Sequence, residues 1–196
     1  LGAHPYMLLN FDGTYDGVST LAHELGHTMN QWYSDQAQTT AYTSNPGTIV
    51  TEVTSTLNQL LLDDYMIKNA QTDTERKYYI AQDMSTLYST FFTQAQFARF
   101  QQISMEALES GETLTADLLA QLWMDNNAKY SGGGVLQTPE HSGIGWARVP
   151  HFFQGYYVYQ YAAAISASCD IAQRITAGDA DAVADYLTYI SSGDPA

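Results

Sequence analysis

Apolar residues recur three and four positions apart along most of this chain, the spacing of helices that pack on one face. From about Asp16 to Ser34, Val18, Leu21, Ala22, Leu25, Met29 and Trp32 make one such face. The turn Asn45-Pro46-Gly47 precedes a second predicted helix, about Thr48 to Ala70, with Val50, Val53, Leu57, Leu60, Leu61 and Met66 inside. Between about Asp73 and Ser110 the pattern stays helical but is rich in Tyr, Phe and Gln, and its ambiguous register suggests a kink. Gly111 closes that stretch, and another helix is predicted over Thr115 to Tyr130. Residues 131–149, with Gly132-Gly133-Gly134, Pro139, Gly143 and Gly145, are expected to form a loop. Pro150 suits the first position of the next helix, where its missing N–H would be unpaired anyway. That helix is expected to reach Ile175, and a last one to run from Asp179 to Ser191. Only Pro5 to Phe11, short, apolar, aromatic and closed by Asp12-Gly13, departs from the pattern and predicts a strand. Its place at the start of the sequence implies that pairing partners lie partly outside it. One strand against six helices puts the fold in the mainly α class, as a single domain over residues 1–196.

Composition narrows the function. The chain carries 21 acidic and 7 basic residues, a net charge of -14, so it lacks the clustered cations that neutralise nucleic-acid phosphates. Such a field keeps a surface solvated, or favours cationic substrates and divalent metal ions. No apolar run approaches the roughly 20 residues needed to span a bilayer, so no membrane partner is expected. Cys169 is the only cysteine, which rules out an intrachain disulfide and makes the reducing cytoplasm the expected compartment. Its Ala/Ser-rich helical setting makes it core filling rather than a nucleophile. The opening carries no secretory signal pattern, and Leu1 is not an initiator methionine; a processed protein or a fragment is the expectation.

The chemistry concentrates in His23-Glu24-Leu25-Gly26-His27. On a helix the two imidazoles lie on one face a turn apart, close enough to hold one metal ion, and Glu24 sits beside the first of them. Neutral imidazoles bind zinc without cancelling its charge, the ion acidifies a water, and a carboxylate takes the proton. With 5 His in the chain, chance order would produce about 0.004 such patterns, which makes the motif specific. A catalytic zinc site needs a third protein ligand. The extended pattern with a third His fails, because position 30 is Asn and position 33 is Tyr. Glu52, on the next helix and set in Ile49-Val50-Thr51-Glu52-Val53-Thr54, is preferred; Asp35, just past the first helix, is the alternative. A carboxylate among β-branched residues needs a buried partner.

Three blocks in order resemble the oligoendopeptidase F and thimet oligopeptidase family of zinc metallopeptidases, on the oligoendopeptidase F side. They are His4-Pro5-Tyr6-Met7 through His27, Thr51-Glu52-Val53-Thr54-Ser55-Thr56-Leu57-Asn58, and Trp146-Ala147-Arg148-Val149-Pro150-His151-Phe152-Phe153 followed by Tyr156-Tyr157-Val158-Tyr159-Gln160-Tyr161. The resemblance implies a zincin-like helical catalytic domain with a short N-terminal edge strand, one Zn2+ per chain on His23, His27 and Glu52, and Glu24 as general base. It also implies that His151, Tyr157 and Tyr159, with Tyr156 less firmly placed, face the zinc across a cleft, bind substrate and stabilise the oxyanion. His151, Tyr157 and Tyr159 do not share one face of a regular helix, so Gly155 or the helix start must re-aim one of them. Gln59 stands where the family commonly has a second glutamate, and it orients by hydrogen bonding without charge. Family members are longer, with a helical N-terminal half that this sequence lacks and that would be its partner.

The expectation is therefore a zinc endopeptidase acting on oligopeptides, probed by Glu24→Gln. The loop over 131–149 would cover the cleft, and the strand at 5–11 would offer an edge to an extended peptide. His4 and His141 have no partner at metal spacing. Two alternatives remain open. One is a zinc carboxypeptidase, for which Arg148 is the only basic residue near the cleft. The other is a non-catalytic fragment that binds zinc and peptide.

Overall fold

The computed structural model describes residues 4–131 and 143–193, and helices dominate them. Helix α1 spans Tyr15–Ala37, α2 Thr48–Asn69, α3 Asp73–Leu87, α4 Gln94–Glu109, α5 Ala116–Tyr130, α6 Tyr159–Thr176 and α7 Ala182–Ser191. By contact the chain divides into two compact units, Leu1–Leu87 with Ala163–Ala196, and Tyr88–Ala162. Within the described residues no β-ladder forms. Residues 4–12 carry no regular structure, so the strand expected at Pro5 to Phe11 is absent: no described segment lies alongside to complete its hydrogen bonds.

In the first unit α1 and α2 pack along most of their length. Thr14 starts α1 by accepting the Gly17 N–H on its side chain, with Asp16 in the first turn where a negative charge suits the helix dipole. The seam is not the apolar stripe read from the sequence. Leu25 and Trp32 are 42% and 45% exposed, whereas Ser19, Gly26, Asn30 and Ser34 are buried. Small and polar residues occupy the contact because two helices can approach closely only where side chains are short. Asn30 donates to the Ile190 carbonyl of α7 and Ser34 to the Ser44 carbonyl, so α1 is also tied to elements other than α2. Helix α2 is buried all round from Glu52 to Leu57. Ser168 of α6 donates toward the Val53 carbonyl and lies 2.7 Å from the Thr56 hydroxyl. Leu57, Tyr186 and Ile190 form the apolar centre, with Leu61, Ile171 and Ile175 packed against them.

The ambiguous register between 73 and 110 has a structural cause. Tyr88–Thr93 is a π-helical segment, so the 3.6-residue period is interrupted there and no single stripe fits the whole stretch. In the second unit, Phe97, Phe100, Trp123 and Phe152 form a cluster of edge-to-face and tilted ring pairs with centroids 5.0–6.3 Å apart. The helix expected from Pro150 to Ile175 is broken. Pro150–Gln154 is a 3-10 turn, Gly155 and Tyr156 take φ of 53° and 50°, and α6 begins at Tyr159. A positive φ costs a residue with a β-carbon about 1–2 kcal/mol, so Tyr156 carries strain that neighbouring structure sustains. Trp146 lies in a second 3-10 turn, Gly145–Arg148, inside the span expected to be loop. Most of that loop, including Gly132-Gly133-Gly134, Pro139 and His141, lies outside the described residues.

Candidate metal centre

The site begins with a glycine. A β-carbon on Gly26 would lie 2.5 Å from both the Ser55 Cα and the Thr54 carbonyl oxygen, closer than any side chain tolerates. The bare Cα lets α1 settle against α2, and Asn58 braces the contact by donating to the Ala22 carbonyl. That approach sets His23 and His27 of α1 opposite Glu52 of α2.

The three side chains converge. His23 Nε2 and His27 Nε2 are 3.2 Å apart, and Glu52 Oε2 lies 3.7 Å from the first and 3.9 Å from the second. A tetrahedral ion with bonds of about 2.0–2.2 Å separates its donors by about 3.3–3.6 Å, a range these distances bracket closely enough for small side-chain shifts to seat one zinc-sized ion. The hydrogen bonds behind the donors point the same way. His23 Nδ1 is 2.8 Å from Gln59 Oε1, an acceptor, which leaves Nε2 with its lone pair facing the site. The Thr51 backbone engages the His27 ring. Burial pushes the His27 pKa below the usual imidazole range, although Glu52 opposes the shift, and His23 adds to it. Glu52 is buried, and Ser55 donates to its carboxylate at 3.1 Å. Among the described residues no Lys or Arg pairs with it. A buried carboxylate beside two imidazole lone pairs lacks a positive charge, which a divalent cation would supply. Among the described residues these three are the group able to hold a metal ion.

Glu24 lies between the two imidazoles in the chain, outside the donor set and near enough to favour a proton on His27. Thr28 donates to its backbone carbonyl, one turn of regular helix. Asp35, the alternative third ligand, instead accepts from Gln31 and does not join the group. His4 lies against Tyr6, the rings tilted with centroids 4.5 Å apart. Cys169 is half-buried on α6, and burial pushes its thiol up.

In the second unit the positive φ of Gly155 and Tyr156 brings the 3-10 turn back toward the first turn of α6. His151 then stacks on Tyr157 with centroids 5.2 Å apart and planes within 7°, and Tyr161 meets both rings edge-on at 6.0 and 5.6 Å. Tyr159 is not in this group. It lines a separate hollow of about 380 Å³ with Tyr156, Ala98, Arg99 and Gln101. Two residues escaped the reading of the sequence. Tyr161 is four positions after Tyr157, so helical spacing alone could have paired them. Ser19, one turn before His23, accepts a hydrogen bond from Gln59 at 3.0 Å. Its signal was the same i, i+4 spacing.

A His-Glu-x-x-His helix joined by a glutamate from the neighbouring helix is the donor arrangement of metal-dependent peptidases. Residues 2–195 match the model of peptidase family M3, and the chain belongs to that family. Oligopeptidase PepF of Bacillus subtilis (strain 168) is 34% identical over 98% of this chain and 28% of its own length. The chromosomal oligoendopeptidase F of Lactococcus lactis subsp. cremoris is 34% identical over 97% of this chain and 31% of its own. The crystal structure of a putative peptidase from Chlamydophila abortus superposes with a TM-score of 0.81 at 34% identity, over 97% of this chain and 32% of that one. That of oligoendopeptidase-F from Enterococcus faecium gives 0.74 at 30% identity, over 91% and 32%. The chain thus spans under a third of the length of these relatives.

Proposed function

We propose that this chain is the catalytic part of a longer zinc-dependent endopeptidase that cleaves oligopeptides. The observation that carries the reading is the convergence of His23, His27 and a buried Glu52 on one point, with no other positive charge for that carboxylate among the described residues. Membership of peptidase family M3 supports it. Zinc held there supplies a Lewis acid and a water made acidic enough to attack near neutral pH.

The chain's own residues do the rest. Glu24 takes the proton from the attacking water and passes it to the departing amine nitrogen. His23 and His27 stay neutral and give their Nε2 lone pairs, while Gln59 and the Thr51 backbone fix their tautomers. His151 and Tyr157 donate to the carbonyl oxygen that gains charge, with Tyr161 packed against both, while Tyr159, which lines a separate hollow, binds the peptide without donating to that oxygen.

The test is hydrolysis of internally quenched oligopeptides with and without chelator, the products identified by mass. Internal cuts that stop on chelation and return with zinc support the proposal. Release of single C-terminal residues instead means a carboxypeptidase, and zinc binding without any cleavage means a binding fragment.

A further inference from the structure

Ser19, Gln59 and His23 form a continuous polar chain across the α1–α2 seam. Gln59 Nε2 donates to Ser19 Oγ at 3.0 Å, and its Oε1 lies 2.8 Å from His23 Nδ1. Ser19 is buried and Gln59 and His23 are half-buried, so little water competes for these groups. An imidazole that offers Nε2 to a metal carries its proton on Nδ1, and that proton needs an acceptor. An amide meets this need in one orientation only. With Oε1 on His23, its NH2 end must find an acceptor of its own, and the Ser19 hydroxyl provides one. With the amide reversed, Nε2–H would face Nδ1–H, donor against donor.

We infer that Ser19 and Gln59 act together as positioning residues that hold His23 in the Nδ1-protonated tautomer, with Nε2 presented to the metal. The inference rests on the zinc reading above and deepens it. Because the acceptor is neutral, orientation comes without a second negative charge behind the ligand. A divalent ion with Glu52 as its one anionic ligand keeps a net charge of +1, which a carboxylate at position 59 would cancel.

The test compares wild type, Ser19→Ala, Gln59→Leu, the double variant and Gln59→Glu, each checked for native circular dichroism. Zinc affinity is read by competition with a chelating dye, and the His23 tautomer by ring 15N shifts in metal-free protein. Gln59→Leu is expected to weaken zinc about 10- to 100-fold, the range for losing a partner behind a ligand. Ser19→Ala is expected to weaken it roughly threefold to tenfold, the worth of one hydrogen bond. The double variant should be no weaker than Gln59→Leu, because Ser19 acts through the amide. Gln59→Glu should keep or tighten binding. A Ser19→Ala penalty that persists undiminished beside Gln59→Leu would overturn the inference, as would a His23 tautomer unchanged in Gln59→Leu. Wild-type protein that binds no zinc would overturn the metal reading instead, while the tautomer comparison still decides this one.

Discussion

Gly26 and Ser55 are in backbone contact: a β-carbon on the glycine would sit 2.5 Å from the serine Cα. The two helices that hold the metal donors therefore meet where neither has room for one more atom. Gly26→Ala must push α1 from α2 and spread His23 and His27 from Glu52. Overpacking of this kind costs about 1–3 kcal/mol. The expected outcome is a lower melting temperature together with weaker zinc binding, read by calorimetry and dye competition. A variant that matches wild type in both would show that the seam is looser than described.

Removing the carboxylate is expected to separate metal binding from folding. Glu52→Gln keeps the shape of the side chain and the approach of Ser55, but removes the single formal negative charge from the donor set. Zinc affinity should fall more than about 100-fold, beyond the loss expected for a partner behind the ligands. Zinc in 100-fold excess over its dissociation constant stabilises wild type by about 2.7 kcal/mol. The rise in melting temperature on adding zinc should vanish in Glu52→Gln, as thermal scans with and without the ion would record.

Asp63, farther along α2, gives the fold a pH dependence of its own. It accepts a 2.5 Å hydrogen bond from the Tyr15 hydroxyl, and its second oxygen is buried without a partner. Burial pushes the Asp63 carboxyl up to about 6; the Tyr15 bond opposes the shift and Asp83 adds to it. The folded chain thus holds this proton more tightly than the unfolded chain, where the carboxyl titrates near 4. Its contribution to stability is full below about pH 4 and is lost as pH rises through about 6. Burial also raises Asp83, so both carboxyls tilt stability the same way. Denaturant melts from pH 5 to 7.5 should show wild type losing roughly 1–2 kcal/mol relative to Asp63→Asn, allowing for solvent screening.

The aromatic cluster distinguishes tyrosines that the sequence left equivalent. Tyr157 stacks on His151, whereas Tyr159 lines a separate hollow. If the cluster serves the reaction, Tyr157→Phe should lower kcat on an oligopeptide about 100-fold, the worth of a donor to the developing oxyanion. Tyr159→Phe should change kcat much less. Equal losses in steady-state kinetics would return Tyr159 to the same role as Tyr157.

How far the sequence reached follows from what each signal encodes. The motif at 23–27 was legible because helical spacing alone puts both imidazoles on one face. Helix ends came within a few residues, since Thr14, Pro46-Gly47 and Gly111 bound them by local chemistry. The α1 seam was misread, because hydrophobicity singled out Leu25 and Trp32, while the contact is chosen by size, through Gly26 and Ser19. The strand at 5–11 failed because a ladder depends on a neighbour that local sequence does not encode. The break before α6 depends on Tyr156 at positive φ, a strained conformation that no propensity favours. Ser19 shares an i, i+4 spacing with His23, but its role appears only once Gln59 lies beside it.

The central claim, that this chain's proposed zinc site activates water for peptide cleavage, rests on Glu24, which lies outside the donor set and whose proposed part is to take the proton. Glu24→Gln measured for zinc content and peptide hydrolysis in the same preparation tests it most directly. The account predicts one bound zinc, as in wild type, and a rate of cleavage lower by at least about 100-fold, in line with the loss of a general base. Cleavage at the wild-type rate with zinc still bound would contradict it.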